Sequence, residues 1–273
     1  MLKKSAGIAR FAVPVFTFVC LLSPANNAIA QQPRRVGLAA PERGLEYGTT
    51  NFLAVAPTVE IAKQVAEEAE RQRKQLAKRW LGKEIPDWSK RCPICVRVDP
   101  VSGGSSSFNF ANCHDVGLQP KVNLQGSVDL ILTNVLPHEM THVVLACHFL
   151  KPMARWADEA AAMLSESEQR CGRYRNAFRA LPTPRRMYAL GNLLEMKDYP
   201  GEPKLFYDQS YSVANYLVEL KDRATFLAFI RTGTNEGWTR AAKLHYDFDS
   251  LGGLESAWLA SVDKTKAASN GGN

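Results

Sequence analysis

Residues 135–146 read Val-Leu-Pro-His-Glu-Met-Thr-His-Val-Val-Leu-Ala, two histidines and a glutamate carried in a mostly apolar run. Such flanks belong to a helix buried inside a folded body. An α-helix turns about 100° per residue, so His138 and His142 stand about 40° apart on one face. Both imidazoles then reach a single ion about 2.0–2.1 Å away, and zinc is the ion this arrangement takes. Glu139 points beside that ion, where it can orient a bound water and accept its proton. Pro137 suits the first turn of a helix restarted there, with Thr133 or Asn134 near its cap. The bland alternative is a core helix whose histidines are four apart by accident. The chain has five histidines in all, and two of them bracketing a glutamate at this spacing favours the metal.

The motif leaves the third ligand open between two candidates. Glu159, in Arg155-Trp156-Ala157-Asp158-Glu159-Ala160-Ala161-Ala162, comes 17 residues after His142. That leaves room for the first helix to end, a turn through Lys151-Pro152, and a second helix to pack across the first on its small alanine face. His148 comes six residues after His142, with Leu145 between them rather than a glycine that would let the chain leave the helix. A helix continuing through Leu145 turns His148 about 240° from His142, away from the metal.

Lys3, Lys4 and Arg10 precede an apolar stretch, Phe11 to Leu22, and then Ala28-Ile29-Ala30. This is the pattern of a signal peptide cleaved after Ala30, and the expected location is secreted or periplasmic. The stretch is about half of the roughly 20 residues a spanning helix needs, and Pro14 interrupts it. No later segment reads as a membrane span, so none is expected after processing. The formal charge of +7 falls to +4 with the leader, which holds three basic and no acidic residues. The remaining basic residues interleave with Glu67, Glu68 and Glu70 on a solvated helix face, and no nucleic-acid partner is expected. Cys92, Cys95, Cys113, Cys147 and Cys171 remain; in an exported chain they predict one or two disulfides and a free thiol. Cys92-Pro-Ile-Cys95 with Cys113-His114 is the alternative, a second structural zinc.

Residues 31–57 lack periodicity and read as an irregular arm. From Thr58 a helical stripe of Ile61, Val65, Ala69, Leu76 and Trp80 begins, with Glu67–Arg71 and Glu70–Lys74 pairs outside it. Alternating runs around 94–98, 108–110 and 122–124 read as strands. From Ser127 the chain reads as helices: 127–149 (bent or restarted at Pro137), 155–170, 173–180, 185–195, 208–220, 223–232, 236–246 and 252–262. Residues 264–273 read as a disordered tail. The fold expected is α+β, one domain over 58–263: a small sheet-bearing lobe (58–126), a mainly helical lobe (127–263), and the zinc cleft between them.

His-Glu-x-x-His followed by Trp156-x-x-Glu159 resembles the thermolysin-like gluzincins, in particular the peptidase-MA-like group of bacterial proteins. The resemblance covers roughly residues 90–260, and Ala160 departs from the glycine often found after the third ligand. It implies a zinc peptidase acting on a peptide or protein, with His138, His142 and Glu159 as ligands and Glu139 as base. It further implies that Asp158 bonds a ligand histidine and that a tyrosine from Tyr207, Tyr211 and Tyr216, preferably Tyr211, stabilises the oxyanion. The strand holding Gly104, Ser105 and Ser106 would pair with substrate backbone. The rival from another class is a non-catalytic envelope protein holding a structural zinc. That site would need a fourth protein ligand, with His148 or Cys147 nearest.

Overall fold

The computed structural model describes residues 16–21, 44–110, 118–180 and 187–270. Thr58 opens the first helix, α1 (Val59–Leu81), by accepting from the Ile61 amide; Gly82 ends it at φ 72°, its N–H returned to the Lys78 carbonyl. A left-handed residue at this point carries no Cβ penalty only as glycine. Val65, Ala69, Leu76 and Trp80 lie in its buried stripe. Glu70, expected to pair with Lys74, instead accepts from the backbone N–H (2.6 Å) and Nδ2 (3.0 Å) of Asn51.

That anchorage holds strand structure where an irregular arm was expected. The sheet contains β1 (Phe16–Leu21), β2 (Leu45–Gly48), β3 (Phe52–Ala56), β4 (Cys92–Val98), β5 (Gly103–Phe108) and β6 (Lys121–Gly126), in the order β1-β5-β6-β4-β3-β2. The β2–β3 hairpin buries Phe52, Ala54 and Ala56 at period two. A five-residue alternation is too short to stand out in the Gln, Pro, Arg and Gly composition of that stretch. β3 and β4 run parallel with α1 as their crossover, β4 and β6 are also parallel, and β5 is antiparallel to β6. Five strands come from residues 45–126. β1 lies within the stretch expected to be removed as a leader, and its backbone pairs antiparallel along β5, from Phe16 opposite Phe108 to Leu21 opposite Gly103.

Helix α2 (Val128–Phe149) is continuous, and its regular α part begins at Leu136 with Pro137 in the first turn, without the expected side-chain cap from Thr133 or Asn134. It passes through a π turn at Ile131–Val135, the Leu136 N–H reaching back to the Ile131 carbonyl. Proline lacks an N–H and its ring crowds the carbonyl four residues back, so widening the helix just before Pro137 keeps it continuous. By length and composition α2 could cross a membrane, contrary to the sequence reading, but most of it is buried inside the body.

The remaining helices are α3 (Arg155–Met163), α4 (Glu168–Arg179), α5 (Leu190–Glu195), α6 (Pro203–Leu220), α7 (Arg223–Glu236), α8 (Trp238–Tyr246) and α9 (Leu251–Asn270). The helix expected over 155–170 breaks after Met163, because Ser167 caps α4 by accepting from the Arg170 amide. Trp80 Nε1 donates to Ser165 Oγ (3.1 Å) and Ser167 Oγ donates to Asn134 Oδ1 (2.7 Å), pinning the turn to α1 and α2. α9 runs to Asn270 where a disordered tail was expected; the Lys- and Ala-rich sequence there holds no stop signal before Gly271. The architecture is α+β, an N-terminal sheet followed by a mainly helical part.

Candidate metal centre

α2 and α3 pack together on small side chains: Ala157, Ala160, Ala161 and Ala162 are fully buried. This close approach brings Glu159 up to the histidine pair. Glu159 Oε2 lies 3.7 Å from His138 Nε2 and 3.9 Å from His142 Nε2, and all three residues are buried. Tetrahedral ligands about 2.0–2.1 Å from an ion stand about 3.3 Å apart, so Glu159 Oε2 is within about half an ångström of that spacing from each histidine, and the three ligand atoms together lie within 4.8 Å of one another. No hydrogen bond reaches Glu159 Oε2. Two imidazole nitrogens and a carboxylate oxygen suit zinc.

Carboxylates hold the other side of each ring. His138 Nδ1 donates to Glu166 Oε1 at 2.8 Å, and His142 Nδ1 lies 3.0 Å from Asp158 Oδ1. Both contacts favour the tautomer that turns the Nε2 lone pair toward Glu159. Glu166 is itself fastened by Arg170 Nε (3.1 Å) and Tyr174 OH (3.0 Å). Burial alone would lower the His142 pKa, but Asp158 and Glu159 raise it. Burial likewise opposes ionisation of Glu159, yet His138, His142 and Tyr199 hold its carboxyl below the ordinary range.

Glu139 faces β5. Ser106 Oγ donates to its Oε2 at 2.5 Å. A Cβ built on Gly104 would lie 2.5 Å from Glu139 Oε1 and 2.8 Å from its Cγ and from Val135 Cγ1, so only glycine fits there. Burial pushes the Glu139 carboxyl up; the two histidines and Ser106 act against that. Ser105 Oγ accepts from Asn123 Nδ2 (3.0 Å). The side chains of Ser105 and Ser106, expected at substrate, are thus directed into the protein. Beside His142 and Asp158 a small cleft is lined by Phe108, Phe110, Ala146 and Met153.

Tyr211 does not join this centre. Its hydroxyl accepts from Arg175 Nη1 (3.2 Å), its ring lies against Tyr174, and it packs with Met163 and Cys171. Its ring neighbour Tyr174 donates to Glu166, so Tyr211 sits against the support of His138. The tyrosine that reaches Glu159 is Tyr199, in the loop before α6, which donates to Glu159 Oε1. His148 stays on α2, its Nε2 bonded to Arg231 at 2.9 Å. Cys92, Cys95, Cys147 and Cys171 are free thiols, so no disulfide occurs among the described residues; Cys113 and His114 lie outside them. Cys92 and Cys95 differ by an odd number along β4 and therefore point to opposite faces, which separates them as ligands of one ion.

Sequence reasoning missed Glu166 and Tyr199. Ser165-Glu166-Ser167 was legible as a helix break, and reading it so would have brought Glu166 back toward α2; Tyr199 carried no comparable signal. No family model matches the chain, and no curated protein matches it.

Proposed function

We propose that the chain is an exported zinc peptidase of the gluzincin type, with His138, His142 and Glu159 as the metal ligands and Glu139 as the general base. The observation that carries this reading is the convergence of two Nε2 atoms and one carboxylate oxygen in a buried centre, with a second carboxylate beside it. Zinc bound there would lower the pKa of a water toward about 7 and polarise a peptide carbonyl. With zinc held by His138, His142 and Glu159, Glu139 would be the group placed to take a proton from water and return it to the leaving amine. Gly104 and Ser106 keep its carboxylate in place.

Among the described residues the cluster has three members, which leaves a fourth position for water. Two further carboxylates, Asp158 and Glu166, are engaged by the outer ring nitrogens. This favours a catalytic over a purely structural ion, which fills its fourth position with protein. Cleavage after Ala30 would remove β1 with the leader and open the outer edge of β5, next to Glu139, to an extended peptide backbone.

Purified mature chain should carry about one zinc, and Glu139→Gln should keep it while losing at least 10²-fold in hydrolysis of a general protein substrate. A zinc-free protein, or a Glu139→Gln variant at the wild-type rate, overturns the reading.

A further inference from the structure

Glu159 offers two oxygens, and they are treated differently. Oε2 faces His138 Nε2 and His142 Nε2, while Oε1 accepts the Tyr199 hydroxyl. The last torsion of a glutamate is soft and close to two-fold, so an unanchored carboxylate can swing both oxygens toward the same ion. The Tyr199 ring is held so that it resists such a swing. Arg155, at the start of α3, places its guanidinium carbon 4.4 Å from the ring centroid and donates Nε to the Lys197 carbonyl at 2.7 Å. Phe206 packs edge-on at 5.8 Å, and the Tyr207 ring lies 6.0 Å from that of Tyr199. The loop before α6 is thereby clamped to the helix that carries Glu159.

We propose that Tyr199 is a positioning residue that restricts Glu159 to one metal-facing oxygen and so preserves an open coordination position for water. This rests on the zinc assignment and adds the means by which the chain sets the coordination number. Arg155 and Tyr207 act through Tyr199, and none of the three touches the reacting atoms.

The test is cobalt(II) substitution of the mature chain, read by visible absorption, because four-coordinate cobalt absorbs far more strongly than five- or six-coordinate cobalt. Wild type should give the intense four-coordinate spectrum. Tyr199→Phe removes only the hydroxyl and should give a weaker spectrum of higher coordination, with kcat on a general protein substrate down about 10–100-fold and KM changed much less. Arg155→Ala should shift the spectrum in the same direction by less, and carries the test should Tyr199→Phe misfold. An unchanged cobalt spectrum in folded Tyr199→Phe overturns the proposal; paired with a large loss of kcat it would put the hydroxyl on substrate instead. A wild-type chain that binds no cobalt and no zinc sinks the metal assignment itself, so the two failures are distinguishable.

Discussion

Glu139 and Glu159 are buried to the same degree on neighbouring helices, yet their surroundings push them in opposite directions. The wall behind Glu139 is a strand of small residues, Gly104 and Ser106, and burial dominates, so the carboxyl is raised. The wall around Glu159 is aromatic: two imidazoles and the donating Tyr199 phenol outweigh burial and lower its pKa. Two identical side chains are thereby suited to the different work that the proposed function assigns them. A ligand has to stay anionic; a base has to take up a proton and release it near working pH. The sheet supplies the first environment and the helical part the second, and the α2–α3 contact joins them.

The sharpest way to break this contrast is to remove the ligand carboxylate. Glu159→Ala should weaken zinc binding more than 100-fold, beyond the 10–100-fold typical of losing a supporting partner. His148→Ala should leave zinc content unchanged, since that ring meets Arg231 on the outer face of α2. Competition against a chelator measures both. Loss of metal from His148→Ala with retention in Glu159→Ala would invert the assignment.

Crowding the opposite wall should cost activity without costing metal. Gly104→Ala places a methyl 2.5 Å from Glu139 Oε1 and 2.8 Å from Val135 Cγ1. The carboxylate must turn away or the strand must shift. A displacement on the order of 1 Å lowers catalysis about 10²-fold, and overpacking costs about 1–3 kcal/mol in stability. Zinc analysis and thermal unfolding, run beside a protein-hydrolysis assay, check this. A fully active Gly104→Ala would mean that the base does not depend on the strand.

The contrast also marks what could be read in the sequence. His138, Glu139 and His142 lie on one stretch of one helix, so spacing alone places them together. Glu159 follows from helix length and a turn, and the alanines after it supply the close packing that brings it in. His148 could be turned away from the metal because Leu145 let the helix continue. Tyr199 was not legible: it lies 40 residues beyond Glu159 in a loop, and its approach depends on the α3–α6 packing and on the Arg155 clamp. The contacts of Tyr211 were not legible for a related reason: helical phase puts Tyr207 and Tyr211 on one face, but only tertiary packing sets Tyr211 against Tyr174 and Arg175. The β2–β3 hairpin escaped because Asn51, Glu70 and α1 stabilise it from far along the chain.

The smallest expected effect is the most direct probe of the Glu139 wall. Ser106 Oγ donates to Glu139 Oε2, and a bond to the charged form favours that form. Removing it in Ser106→Ala raises further a pKa that burial has already raised. A base must be ionised to act, so on acidification the variant should lose activity sooner, and the acid limb of kcat/KM should move to higher pH. A hydrogen bond to a carboxylate contributes about 1.5 kcal/mol or more, which corresponds to a shift of roughly one pH unit. Near neutrality the rate should fall by less than about tenfold, because the general-base contribution of 10²–10⁴ is weakened rather than lost. Zinc must be kept saturating across the profile, since proton competition at His142, itself raised by Asp158 and Glu159, would otherwise mimic the limb. If the limb stays in place at full zinc occupancy, the titrating group is not Glu139, and the strand wall holds something other than the base.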